Sequence, residues 1–125
     1  VDACTRRGAH GTWIVPRLVD AYHELHAVGA AHSLEVWAGE GQLAGGLFGI
    51  SVGAAFTGES MFHRRTDASK VALVHLAEHL RTRGYRLLDA QLPTPHLTSL
   101  GAVAVPRATF LRTLAAAVAE PVTFA

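Results

Sequence analysis

Apolar residues recur along the chain with two different periods, and the change of period separates predicted helices from predicted strands. After Pro16, apolar side chains return every three or four residues, which is the spacing of one face of an α-helix. These positions are Leu18, Tyr22, Leu25 and Val28. Gly29 then offers the left-handed conformation that commonly ends a helix. Residues 16–28 therefore predict an amphipathic helix.

A different pattern occupies residues 32–62. Two apolar runs, "HSLEVW" and "LAGGLFGISVG", are separated by the polar, glycine-bearing stretch "AGEGQ", which is typical of a hairpin turn. After that second run, a further apolar segment extends from Ala54 to Phe62. The pattern predicts three consecutive antiparallel strands.

The helical period returns after residue 67. Apolar side chains form one stripe at Leu73, Leu76, Ala77 and Leu80, and Gly84 follows as a stop signal. Asp67 and Ser69 are candidate N-caps for this second helix. The stretch "RLLDAQL" then predicts a short buried strand, "TPHLTSLGA" a turn with a brief helix, and "PRATFLRTLAAAV" a final helix.

This order of elements predicts the fold class. One helix, three meandering strands, a helix, a strand and a last helix indicate an α+β (mixed α/β) protein. Its central sheet should be mostly antiparallel and flanked by helices, with a crossover before the last strand. The length of 125 residues fits a single domain.

Composition limits the kinds of molecule that the protein is expected to bind and the cellular compartment in which it is expected. The formal net charge is +1, which argues against a protein that attracts nucleic acid over its whole surface. A local basic patch stays possible, and its candidates are Arg6, Arg7, Arg64, Arg65 and Lys70. The single cysteine and the absence of a signal pattern favour the cytoplasm. No apolar run reaches the ~20 residues needed to span a bilayer, so no membrane contact is expected.

One helical motif has a possible metal chemistry. His75, Glu78 and His79 match the H-x-x-E-H spacing of inverted zinc peptidases. Because the apolar stripe should face the core, the ~100° rotation per residue turns both histidines toward solvent. A surface histidine pair is the preferred interpretation, and no metal site is predicted.

Three polar residues lie in strands that are otherwise apolar. Glu59 sits in "GESMF", and Asp89 and Gln91 share one face of "LLDAQL". Inward-facing acids and amides need polar partners. We therefore expect Glu59 and Asp89 on neighbouring central strands, with their side chains on the same face and Gln91 beside them.

The chain resembles the leucyl/phenylalanyl-tRNA protein transferases. The similar segments are "GTWI" (11–14), "AHSLEVW" (31–37), "LAGGLFGISVG" (43–53), "GESMF" (58–62), "ASKVAL" (68–73), "LLDAQ" (87–91) and "HLTSLGA" (96–102). The resemblance implies the acetyltransferase-like (GNAT-like) catalytic domain over residues 1–125, truncated at its N-terminus and without the family's N-terminal domain. It implies transfer of Leu, Phe or Met from aminoacyl-tRNA to proteins with an N-terminal Arg or Lys, which marks them for degradation.

The resemblance also implies roles for individual residues. Asp89 and Gln91 match the proposed catalytic pair, Glu59 matches an active-site glutamate, and Trp13 matches a tryptophan that stacks on the 3′-terminal adenosine. The implied pocket for the aminoacyl side chain contains Leu47, Phe56, Met61, Leu73, Leu76, Leu80 and Leu88. No cofactor and no metal are expected, the partners are the aminoacyl-tRNA 3′ end and the acceptor protein, and a monomer is expected.

Two other functions remain open on the sequence. The first is an acyl-CoA-dependent N-acetyltransferase with the same fold, although "HRRTDASK" lacks the glycine-bearing loop that would hold a pyrophosphate. The second is a non-catalytic module that binds a tRNA end or a peptide. A transfer assay distinguishes that module from the enzyme.

Overall fold

A computed structural model describes residues 1–5 and 12–125 of the chain. Of the sequence features above, Arg6, Arg7 and Gly11 lie outside the described residues. The elements are a short 3-10 helix (Asp2–Thr5), α1 (Pro16–Ala27), β1 (Ala31–Trp37), β2 (Leu43–Val52), β3 (Ala55–His63), α2 (Ala68–Thr82), β4 (Leu87–Asp89), α3 (Pro95–Ser99) and α4 (Arg107–Val118). From α1 onward this is the predicted order, and the α+β class is confirmed.

The four strands form one sheet in the order β1-β2-β3-β4. The first two pairings are antiparallel, whereas β3 and β4 are parallel. α2 connects these two strands, because parallel neighbours need a crossover rather than a tight turn. The mostly antiparallel sheet is therefore confirmed, but β4 lies at the edge of the described sheet and not at its centre.

α2 forms because its small and apolar residues share one face. Leu76 and Leu80 are buried against the sheet and Leu73 is partly buried, as the stripe predicts. The prediction is wrong for Ala77, which is exposed, because the buried face turns toward Ala72 instead. The helix starts after Asp67, whose side chain makes no capping hydrogen bond and instead pairs with Lys70 at 3.2 Å. A glycine with φ of +86°, Gly84, follows its C-terminus.

Apolar side chains fill both sides of the sheet. On the α2 side, the α2 cluster consists of the buried residues Leu47, Phe56, Ala72, Leu76 and Leu80. On the opposite side, the α1 cluster consists of Cys4, Ile14, Tyr22 and Phe48. A third group, Ala54, Ala55 and Ala117, packs α4 against the start of β3. The sheet therefore separates two apolar layers, and each is closed by a different helix.

The described helices are short. The longest, α2, has 15 residues and rises by about 22 Å at 1.5 Å per residue. Within residues 1–5 and 12–125, no helix combines the length and the apolar character that a membrane span requires.

Candidate active site

A β-bulge in β3 lies at Glu59. In the pairing of β2 with β3, Gly58 lies opposite Gly49 and Ser60 lies opposite Phe48, so Glu59 is an extra residue. A bulge interrupts strict alternation and re-aims the side chain at that point. The half-buried Glu59 side chain faces the side of the sheet that α1 covers, where its carboxylate meets a residue of that helix.

That residue is Tyr22, which belongs to the α1 cluster. Its ring packs edge-to-face on Phe48 with centroids 4.8 Å apart, and its hydroxyl donates to Glu59 Oε2 at 3.1 Å. Burial, followed by the negative charge of Glu59 and the hydrogen bond to its carboxylate, together raise the pKa of Tyr22 from 10.0 to about 12. Tyr22 therefore stays protonated at physiological pH and holds the Glu59 carboxylate as a hydrogen-bond donor.

Trp13 also contacts the Tyr22 ring. The two centroids are 6.5 Å apart at an interplanar angle of 79°, an edge-to-face contact. The Trp13 side chain is nevertheless 49% exposed. The indole is thus positioned by the protein while part of its surface is free to stack on a planar ligand close to Glu59.

Asp89 and Gln91 form a tight turn at the end of β4. Asp89 Oδ1 accepts a hydrogen bond from the Gln91 backbone N–H at 2.8 Å, and Gln91 Nε2 donates to the Gly58 carbonyl oxygen at 2.7 Å. Gln91 has a φ of +70°, a conformation that is uncommon outside glycine and is often found at functional sites. These bonds hold the side-chain amide of Gln91 against β3 at Gly58, the residue that precedes Glu59.

The two carboxylates lie on the same side of the sheet. Leu88 packs on the α2 cluster, so alternation directs its neighbour Asp89 to the opposite side. Asp89 is paired with Thr57, two residues before Glu59 in β3. The structure therefore places Glu59 and Asp89 on neighbouring strands, with Gln91 in the turn that follows β4. The prediction that Asp89 and Gln91 share one face of a strand is wrong, because β4 ends at Asp89 and Gln91 has a positive φ.

A cavity of about 500 Å³ runs along β4. Its lining includes the polar side chains of Asp89, Gln91 and Arg107, with Leu88 and Phe110 among its apolar residues. Apolar walls with a few polar groups are typical of sites that bind small molecules or substrate side chains. The cavity therefore leaves Asp89 and Gln91 accessible at the edge of the described sheet.

The predicted apolar substrate residues come together on the other side of the sheet. Leu47, Phe56, Leu76 and Leu80 are buried in the α2 cluster, and Met61, Leu73 and Leu88 are partly buried against it. Phe56 is 0% exposed and thus lies inside the core. Leu88 both packs on this cluster and lines the cavity along β4, so it connects the apolar group with the polar one.

The sequence pattern does not predict the roles of two residues in this region. Tyr22 fits the apolar stripe of α1, and the signal for its second role is that a buried phenol needs a hydrogen-bond partner while the Glu59 carboxylate needs a donor. Arg107, the first residue of α4, lines the cavity, and no local sequence pattern indicates that placement.

The histidine motif of α2 has a different environment from the predicted one. His75 is exposed, but His79 is half-buried and packs against the Phe124 ring at 4.6 Å. The expectation that both histidines face solvent is therefore wrong for His79, because the segment after α4 covers that part of the helix. Within the described ranges, no group of three or more His, Cys, Asp or Glu side chains is arranged to hold a metal ion.

Comparison with known proteins gives one consistent family. The model of the leucyl/phenylalanyl-tRNA protein transferase family matches residues 1–115. A transferase of that name from Chromohalobacter salexigens is 56% identical over 124 residues, which cover 98% of this chain and 48% of the relative. One from Chromobacterium violaceum is 53% identical over 93% of this chain and 49% of its own length. One from Rubrobacter xylanophilus is 54% identical over 94% and 60% respectively.

The chain spans about half the length of the curated relatives it matches, or somewhat more. The matched range nevertheless covers nearly all of its own residues, and positions 59, 89 and 91 lie within it. With this coverage and identity, the chain belongs to the leucyl/phenylalanyl-tRNA protein transferase family.

Proposed function

We propose that this chain transfers Leu, Phe or Met from aminoacyl-tRNA to the N-terminal Arg or Lys of acceptor proteins, and so marks them for degradation. In this proposal residues 1–125 act as a single GNAT-like catalytic domain, monomeric and cytoplasmic, without a metal or cofactor. The observation that carries the proposal is the arrangement of Glu59 in β3, Asp89 in β4 and Gln91 in the turn after β4, with the half-exposed Trp13 ring against the Tyr22 that binds Glu59.

The reaction exchanges one acyl bond for another. The α-amine of the acceptor attacks the carbonyl carbon of the aminoacyl ester, the new C–N bond forms, and the C–O bond to the tRNA ribose breaks. The amine loses a proton and the released ribose oxygen gains one. Because the ester is already activated, holding the amine and ester in contact supplies much of the rate.

Glu59 and Asp89 suit the acceptor side of this reaction. The acceptor carries an N-terminal ammonium and a cationic side chain, and the two carboxylates lie on the same side of the sheet. A carboxylate that is fixed by Tyr22 or by the Gln91 backbone can hold such a cation and receive its proton. We assign Glu59 and Asp89 to binding and orienting the amine.

Gln91 suits the carbonyl side. Its amide nitrogen is fixed by the Gly58 carbonyl, and an amide provides a second donor hydrogen as well as an acceptor oxygen. An amide is a poor base, so positioning the reactants is the better role for it. We assign Gln91 to aligning the amine with the ester.

The apolar side chain of the donor requires a different surface. Met61, Leu73 and Leu88 are partly buried around the α2 cluster, and a ligand can reach these three without opening the core. Methionine is flexible enough to adapt to side chains of different shape. Leu47, Phe56, Leu76 and Leu80 form the floor beneath them in this assignment.

Trp13 suits the nucleotide end of the donor. Its exposed indole surface can stack on the 3′-terminal adenine, an interaction worth about 1 to 3 kcal/mol per base. The contact with Tyr22 then links the nucleotide site to Glu59.

The experiment that tests the proposal is single-turnover transfer. The chain is mixed with radiolabelled leucyl-tRNA and a peptide that begins with Arg, and labelled peptide is quantified with and without a chelator. The expected result is transfer that a chelator leaves unchanged and that N-terminal acetylation of the peptide abolishes.

Two outcomes would replace the proposal. Acetyl transfer from acetyl-CoA, without transfer from leucyl-tRNA, would identify an acyl-CoA-dependent enzyme. Binding of leucyl-tRNA or peptide with no transfer under any of these conditions would identify a non-catalytic binding module.

A further inference from the structure

The turn that follows β3 carries two arginines in a fixed arrangement. The backbone N–H groups of Arg64 and Arg65 both donate to the Ala44 carbonyl oxygen, at 2.7 and 3.1 Å. The Arg64 guanidinium lies over the Phe62 ring, 5.7 Å from its centroid, and Arg65 Nη2 donates to Gln42 Oε1 at 3.0 Å. Both backbone positions and both side chains thus have local contacts that restrict their motion.

These arginines are not neutralised by a carboxylate. Among residues 1–5 and 12–125, the ion pairs within 4.0 Å are Lys70 with Asp67 and Arg86 with Glu120, and neither includes Arg64 or Arg65. The contacts that the two arginines make are to a neutral amide and an aromatic ring, which leave their positive charge uncompensated. The turn therefore presents two exposed positive charges, those of Arg64 and Arg65, in a fixed arrangement that can bind an anion.

The two arginines lie near the candidate active site. Phe62, beneath Arg64, packs against the α1 cluster, which contains Tyr22. Glu59 and Arg64 are five residues apart, so an extended chain of about 3.3 Å per residue separates them by roughly 16 Å. Arg64 thus continues the same side of the sheet on which Trp13, Tyr22 and Glu59 lie.

We propose that Arg64 and Arg65 bind phosphates of the acceptor end of aminoacyl-tRNA, a few nucleotides from the terminal adenosine. This inference rests on the proposed function, which supplies RNA as the donor. A guanidinium fits phosphate oxygens with two parallel hydrogen bonds and keeps its charge at all relevant pH values. The acceptor protein, with its cationic N-terminus, would be repelled by the same surface, so the RNA is the substrate that the charge selects.

RNA binding provides the first test. The probe is a fluorescent RNA hairpin that reproduces a tRNA acceptor stem with its single-stranded CCA end, and anisotropy gives Kd at several salt concentrations. The double variant Arg64→Gln/Arg65→Gln should bind more weakly. Its plot of log K against log salt should be less steep by about 0.7 to 0.9 for each arginine removed.

A control with the same loss of charge separates a local contact from general attraction. Arg81 in α2 and Arg112 in α4 are exposed and take part in neither described ion pair. Arg81→Gln/Arg112→Gln should keep the wild-type slope. An unchanged salt slope in the Arg64/Arg65 variant would overturn the proposal, as would an equal decrease of the slope in the Arg81/Arg112 control. An acidic peptide is measured as an alternative ligand, and a variant that loses binding of this peptide but keeps binding of the RNA would also overturn the proposal.

A pair of donors distinguishes this inference from the proposed function. Transfer is measured from leucyl-tRNA and from leucyl-adenosine, which contains no phosphate backbone. The double variant should show a raised KM for leucyl-tRNA and an unchanged KM for leucyl-adenosine. If the wild-type chain used neither donor, the proposed function would fail while the RNA-binding slopes would still decide the role of the two arginines.

Discussion

The two sides of the sheet differ in what their side chains contact. On the α2 side, Phe56 and Leu76 are enclosed by other apolar residues. On the α1 side, Tyr22 also lies in an apolar cluster, but its hydroxyl reaches out of that cluster to Glu59, close to the half-exposed Trp13 ring. The α2 side is a closed apolar core. The α1 side is an apolar core with a polar border, which consists of the Tyr22 hydroxyl and Glu59.

β3 contributes to both sides within a few residues. Phe56 enters the α2 cluster, and three positions later Glu59 enters the polar border, as alternation directs. The bulge at Glu59 then returns Met61 to the α2 side. Neighbouring residues of one strand therefore have separate physical tasks. Changes at Phe56 should act on folding, while changes at Glu59 should act on transfer.

The largest expected effect is on the closed side. Phe56→Ala removes a fully buried ring and leaves a cavity, which should lower the free energy of unfolding by about 3 to 5 kcal/mol. Urea denaturation followed by circular dichroism measures this loss. Trp13→Ala is the comparison, since an exposed side chain should cost far less; a loss below 1 kcal/mol at Phe56 would contradict the enclosed core.

The second effect concerns the polar border. Glu59→Gln keeps an oxygen that can accept from Tyr22 but removes the negative charge. Single-turnover transfer should fall about 10²-fold, the usual scale for losing a positioned polar group, with the urea midpoint nearly unchanged. A variant that lost transfer only in proportion to lost folded protein would remove Glu59 from the site.

A smaller effect is expected from the residue that orients Glu59. Tyr22→Phe keeps the ring in the α1 cluster and deletes the donor to the carboxylate. Hydrogen bonds to charged groups contribute about 1.5 to 3 kcal/mol. Because only a fraction of this energy orients the Glu59 carboxylate for the reaction, kcat should fall about tenfold. The KM for the RNA should stay constant, and Tyr22→Phe in a Glu59→Gln background should have little further effect on kcat.

The smallest effect comes from a histidine near the C-terminal segment. His32 stacks on Phe124 with centroids 4.2 Å apart, and its pKa is lowered from 6.5, first by burial and then by the nearby His26 and His79. The folded state therefore favours neutral His32. Its contribution to stability is present above pH 6.5 and is lost as the pH falls from that value toward the lower, folded-state pKa.

Urea unfolding at pH 7 and pH 5 measures this loss. The wild type should lose more stability between these two values than His32→Gln does. His75→Gln, at an exposed position of α2, should behave like the wild type. Equal pH dependence in the wild type and His32→Gln would show that His32 is not the titrating group.

Much of the fold could be predicted because its causes are local. The stripe of Leu73, Leu76 and Leu80 predicts α2, and the apolar runs around "AGEGQ" predict the β1–β2 hairpin. The placement of Phe56 and Met61 on one side of the sheet, although they are five residues apart, was not predictable, because it depends on a bulge in the pairing with β2. Alternation along a single strand contains no information about that pairing.

The candidate site was predictable only in part. Asp89 and Gln91 stand out as polar residues in an apolar strand, but the contact of Gln91 with the Gly58 carbonyl depends on its positive φ and on the parallel pairing of β3 and β4. The role of Tyr22 depends on a contact between residues 37 positions apart. Long-range contacts of this kind come from tertiary packing, which composition and periodicity do not encode.

The central claim is that the polar residues of β3 and β4 perform transfer, and Asp89→Ala tests it most directly. Asp89 Oδ1 holds the Gln91 backbone, so the alanine variant removes one carboxylate and releases the amide that aligns the reactants. The measurement is single-turnover transfer from leucyl-tRNA to an Arg-initiated peptide at saturating substrates, with folding verified by the urea midpoint. The account predicts a rate at least about 10²-fold below the wild type in a folded protein. An unchanged rate in folded Asp89→Ala would contradict it.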